Sequence, residues 1–205
     1  MALKSVFAAV AAALLLTGCS SSAFGFLLGG GISIADAEAA ELALIDRVDD
    51  ILIAEGDTLT AELPVAGTAR YIGIIHGMDG GGGTGPDLVY YADMYVDVDF
   101  ATDTLDGEVT NFVTDLAGFE NPTGTAVVAG TIGDNGGLAG IDFVAAGALS
   151  GTTGAADYST STTSGTFAGD TAQAAYGDHI SDFMWVAGPN ITTNSISDGD
   201  WNIEQ

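Results

Sequence analysis

The chain has 205 residues, enough for one domain with a proper core plus appendages. Its 28 acidic residues against 3 basic ones give a formal charge of -25. That balance excludes nucleic acid as a partner, because nothing neutralises phosphates, and argues against a basic face lying on an anionic membrane. With 30 glycines and only 15% charged residues, strands and tight turns are favoured over helical bundles, and the expected class is mainly β.

Residues 1–18 read as a targeting segment, in which Lys4 supplies the positive charge and residues 6–16 form an apolar run too short to span a bilayer comfortably. The next motif, Leu16-Thr17-Gly18-Cys19, is similar to the lipobox of bacterial lipoprotein signal peptides. The resemblance implies cleavage before Cys19 and acylation of that residue. Cys19 is the only cysteine, so no intramolecular disulfide competes for it. Ser20 rather than an aspartate follows, which under the bacterial sorting rule implies delivery to the outer membrane. Residues 19–34 then form a lipidated flexible tether of Ser and Gly around a short apolar patch.

From Ser33 the pattern turns helical. Ser33 stands as N-cap with Asp36 three residues on in capping-box position, and Gly56 supplies the stop, so a helix is expected from about Asp36 to Ala54 within a helix-and-linker segment, residues 35–61. Leu44, Val48 and Ile51 fall on one stripe, expected to pack on the domain or plug the end of a barrel.

Residues 88–109 carry the clearest periodicity. Leu88, Tyr90, Ala92, Met94, Val96, Val98 and Phe100 alternate with Val89, Tyr91, Asp93, Tyr95, Asp97 and Asp99. Side chains on a strand alternate between faces, so one face is dry and one wet and acidic. After a polar break, Leu105, Gly107 and Val109 resume the dry set and Asp106 and Glu108 the wet set, which predicts a β-hairpin. Carboxylates then oppose one another across it at about 0.2–1 kcal/mol per pair. Either salt screens them or Ca²⁺ bridges them; the loop glycine and terminal glutamate of an EF-hand are absent, so the solvated reading is preferred.

Residues 62–77 include Pro64, Gly67, Ala69, Tyr71 and Gly73 in an order that resembles the opening of the barrel domain in transferrin-binding-protein-like surface lipoproteins. Residues 96–109 resemble that family's strand-turn-strand. Residues 165–172 with Gly177 resemble its late strand pair. The expected fold is an antiparallel up-and-down β-barrel of about eight strands between residues 63 and 186, inside a domain covering residues 62–205. Asp134-Asn135-Gly136-Gly137 reads as a hairpin turn. Residues 187–205 are open between a final strand and a tail.

No catalytic constellation is evident: no G-x-S-x-G occurs, and the glycine run at 80–83 lacks the Lys-Ser/Thr of a phosphate loop. His76 and His179 have no Cys or His partner at metal spacing and are expected to be structural or surface residues, with no metal and no cofactor beyond the covalent lipid. The chain is therefore expected to bind rather than catalyse. The resemblance implies a module at the outer membrane or cell surface that engages an extracellular protein or an iron or haem carrier through its loops. The candidate contacts are Tyr91 and Tyr95 on the wet face, and the loop bounded by Asp79 and Asp87. The alternative is a protective coat lipoprotein without a defined ligand.

Overall fold

Period-two alternation governs the architecture. The computed structural model describes residues 32–79, 88–187 and 193–205. In it, strands β1 (Thr68–Met78), β2 (Val89–Asp99), β3 (Thr104–Thr114), β4 (Thr123–Asn135), β5 (Leu138–Ser150), β6 (Ala155–Ala168), β7 (Ala174–Ala187) and β8 (Thr193–Glu204) close into an antiparallel barrel in simple up-and-down order. β8 pairs with both β7 and β1, so the C-terminal stretch is the strand that closes the barrel. Closure leaves no open sheet edge to template aggregation. Cys19, Asp87 and the glycine run at 80–83 lie outside the described residues.

The interior is packed with apolar side chains. Tyr71, Met94, Val96, Phe112, Phe143, Phe167, Phe183 and Trp201 are all buried in one cluster. The outward positions instead carry Asp106, Asp142, Asp157 and Asp182, which are exposed. A membrane-spanning barrel shows the reverse pattern, an apolar band outside and polar groups within. Among the described residues no helix is long and apolar enough to cross a membrane.

The predicted hairpin forms in the expected register. Val98 faces Leu105, Val96 faces Gly107 and Met94 faces Val109, while Asp97 lies opposite Asp106. On the other side Asp97 is paired with Arg70, whose Nε donates to Oδ1 at 2.7 Å and whose guanidinium stands 5.1 Å from the Tyr95 ring centre. Part of the like-charge repulsion is thus offset by a cation from β1. Past Val109 the alternation changes phase at a bulge: the pairing steps from Asp93–Thr110 to Tyr91–Val113. Asn111 sits there with φ 51°, and Phe112 is turned into the core. The turn at Gly136-Gly137 has positive φ at both residues, as a two-residue hairpin loop demands.

Helix α1 (Ile34–Glu55) begins with the predicted capping box between Ser33 and Asp36 and ends at Gly56. It lies on the outer wall rather than plugging an end. Ala37, Leu44 and Val48 bury against Ile74, Tyr91, Val113, Ala168 and Ala174, and Arg47 donates through Nε to both Glu204 carboxylate oxygens, at 2.9 and 3.0 Å. Tyr91, expected on a wet face, is therefore buried at 5% exposure, and Asp93, expected there too, is buried at 6%, its Oδ2 accepting from Asn111 Nδ2 at 2.8 Å. The strand period distinguishes the two faces, but it does not reveal that a helix covers the outer one.

Candidate functional site

Glu41 and Leu44, three residues apart, share the helix face turned to the barrel, so the packing that buries Leu44 also carries Glu41 against the wall. Beneath it, register places Tyr91, His76 and Asp200 side by side on β2, β1 and β8. The His76 ring stacks on Tyr91 at 4.4 Å and 10°, which fixes its plane. Its Nδ1 stands 3.4 Å from Glu41 Oε1 and 3.7 Å from Asp200 Oδ1. Glu41 is 5% exposed, and both of these carboxylate oxygens are buried without a hydrogen-bond partner among the described residues.

The electrostatics follow from that crowding. Burial pushes the Glu41 carboxyl up to about 7; the neighbouring His76 pulls it down, but Asp200 and Glu38 oppose that pull. Asp200 goes the other way: burial alone would raise it, but His76 and Glu41 beside it hold it below the usual carboxylate range. Two carboxylates this close repel unless a proton or a cation lies between them.

A polar chain inside the barrel supports the site from behind. Tyr158, Tyr90, Ser181 and His179 are linked at 3.1, 2.8 and 3.0 Å. Each hydroxyl is satisfied when it donates to the next group in that order. His179 Nε2 then donates to the His76 carbonyl at 2.8 Å. The ring reaches that far because it lies over Gly199, where any Cβ would overlap it. The Ser181–His179 contact resembles a nucleophile-base pair, but both residues are buried in the core and the third partner is a carbonyl, so the arrangement is structural. Burial depresses the His179 imidazole, consistent with a neutral ring that accepts at Nδ1.

A second feature lies along β2, β3 and β4. β3 and β4 pair only from Thr104–Thr131 to Val109–Ala126 and then part. The split opens a cleft of about 540 Å³ lined by Tyr95, Glu108, Asn111, Asn121 and Thr125. Of the sequence-predicted contacts, Tyr95 borders this cleft and Tyr91 lies beneath α1. Asp79 is buried at the end of β1, its N–H donating to the Leu88 carbonyl at 2.8 Å. The structure does not bring the three together. His76 is partly buried at the helix seam, and its neighbours come from distant segments, which sequence spacing does not register.

The fold and these sites define a closed eight-stranded antiparallel barrel with a filled interior and an external helix clamped across its first and last strands. No protein-family model matches the chain, and no curated protein matches it. Among solved structures it is similar to the vaccine antigen Transferrin Binding Protein B of Haemophilus parasuis Hp5, crystallised as a tryptophan-to-alanine mutant. Identity is 19% and the TM-score 0.38, over 73% of this chain and 28% of that one. This chain thus spans under a third of that protein's length, and the barrel assignment stands on the strand pairing alone.

Proposed function

We propose that this protein is a lipid-anchored binding module of the bacterial outer membrane or cell surface, tethered through acylated Cys19 and engaging its partner at the cleft where β3 and β4 part. The observation that carries this reading is that cleft of about 540 Å³ with Tyr95 on its rim, set in a barrel whose interior is occupied by its own side chains. A filled barrel takes no internal ligand, so recognition falls to the outer wall and loops. Tyr95 supplies a large amphipathic contact surface, and Glu108, Asn111 and Asn121 supply hydrogen-bonding groups. The acidic outer wall suits a partner with basic or neutral patches, such as an extracellular protein or a carrier of iron or haem.

The coat-lipoprotein reading is supported by one observation: the exposed large apolar residues are aliphatic, among them Val127, Val144, Ile180 and Met184, and no aromatic patch stands out among the described residues. Affinity capture with the purified protein against secreted and surface proteins separates the two. A partner lost on Tyr95→Ala and on Asn121→Ala supports the cleft. Capture unaffected by both removes it, and capture of nothing favours the coat.

A further inference from the structure

We propose that Glu41, His76 and Asp200 form a binding site for one divalent transition-metal cation of the Zn²⁺ class, which clips helix α1 across the seam where β1 and β8 close the barrel. Three observations converge. The three donor atoms, one imidazole nitrogen and two carboxylate oxygens, all lie within 4.8 Å of one another. Glu41 is almost fully buried, and its Oε1, 3.4 Å from His76 Nδ1, lacks a hydrogen-bond partner among the described residues; Asp200 Oδ1 is in the same state. Finally, the pair of carboxylates brings two negative charges that a divalent cation neutralises, in a place where α1 contributes no neighbouring basic residue other than Arg47, which is held by Glu204.

Geometry selects the class of cation. At metal-ligand bonds of about 2.1 Å, the 3.4 and 3.7 Å separations from His76 Nδ1 subtend angles of roughly 110° and 125° at a shared ion, close to the tetrahedral arrangement Zn²⁺ adopts. Ca²⁺ takes six to eight oxygens at about 2.3–2.6 Å and has too few here. Asp200, whose side chain is 50% exposed, also borders a hollow of about 280 Å³. Water has access there. Tyr91 orients the imidazole by stacking, and His179 fixes the β1 backbone by bonding the His76 carbonyl, so the ring is presented at a set angle. Because the ligands come from the helix, the first strand and the last, the ion ties together segments that are distant in sequence and would act as a structural clip rather than a reaction centre.

The test is titration of the purified, chelator-stripped protein with Zn²⁺, Co²⁺ and Ca²⁺, followed by calorimetry, thermal unfolding and, for Co²⁺, visible absorption. One equivalent of Zn²⁺ or Co²⁺ is expected to bind, with a tetrahedral Co²⁺ spectrum. A melting temperature about 5–10 °C higher is expected at free metal 100-fold above Kd. His76→Gln and Asp200→Asn should each weaken binding at least ~10-fold. Asp200 is half exposed, so its variant keeps the fold, and an unchanged melting temperature in chelator verifies this for both variants. Absence of a bound equivalent, binding undiminished in both folded variants, or Ca²⁺ bound as tightly as Zn²⁺ would each overturn the proposal.

Discussion

Replacing Glu41 with Gln, in the presence of chelator, examines the electrostatics of the helix seam. The amide keeps the volume and one carbonyl oxygen but cannot ionise. The groups facing residue 41 are His76 on β1, Asp200 on β8, Tyr91 on β2 and Glu38 on the helix itself. Burial raises the folded-state Glu41 carboxyl from 4.5 to about 7. Between those values the folded protein holds a proton that the unfolded chain has released, so stability falls as pH rises through the window. Asp200 is held low and contributes in the opposite sense, but only below that window, where stability is lost as its carboxylate protonates. At ~1.4 kcal/mol per tenfold change in acidity the ceiling for Glu41 is about 3 kcal/mol. Water entering beside half-exposed Asp200 screens the site and brings the expectation to about 2 kcal/mol. The assay is urea unfolding of both proteins in chelator from pH 4.5 to pH 8. Relative to wild type, Glu41→Gln should gain about 2 kcal/mol between the two ends. Parallel curves within about 0.5 kcal/mol would refute the argument. A gain in the opposite direction would mean that ionised Glu41 stabilises the fold through His76.

Further expectations concern the helix, the core chain and the anchor. Leu44→Ala empties a fully buried position between helix and barrel and should cost about 3 kcal/mol. Hydrogen exchange should localise that loss to α1, and equal loss of protection in the barrel amides would show that helix and barrel unfold together. Gly199→Ala inserts a methyl group where the His179 ring lies, and that ring is buried and hydrogen-bonded, so about 2 kcal/mol should be lost in denaturant unfolding. An unchanged midpoint would show that the ring moves freely. Cys19→Ser should release the protein into the soluble fraction, because stable attachment needs acyl chains; carbonate-resistant membrane association of that variant would contradict the anchor.

Local features were legible in the sequence because their causes are local. Ser33 and Asp36 lie three residues apart and cap the helix by themselves. The alternation from Tyr90 to Val98 identifies a strand without reference to its neighbours, and the Gly-Gly turn meets its own backbone requirement. Chain closure was harder to read. In β8, Ile196 and Trp201 both point inward although five positions separate them, because pairing slips between His179 and Ser181 on the facing strand. The alternation that would have marked residues 193–204 as a strand is broken there by the bulge.

The amino-acid sequence by itself determined the class of the protein: a strongly acidic, glycine-rich β chain with one amphipathic helix ahead of the strands. Each of those properties comes from composition or from periods of two and 3.6 residues, which operate over a few positions. Tertiary structure alone decided that α1 lies on the outer wall, so that Tyr91 is dry while Tyr95, farther along the same strand, borders a cleft. It alone brought Glu41, His76 and Asp200 within reach of one ion. Register and helix docking set those neighbours, and both are fixed by packing between segments far apart in the chain, where no sequence spacing records them.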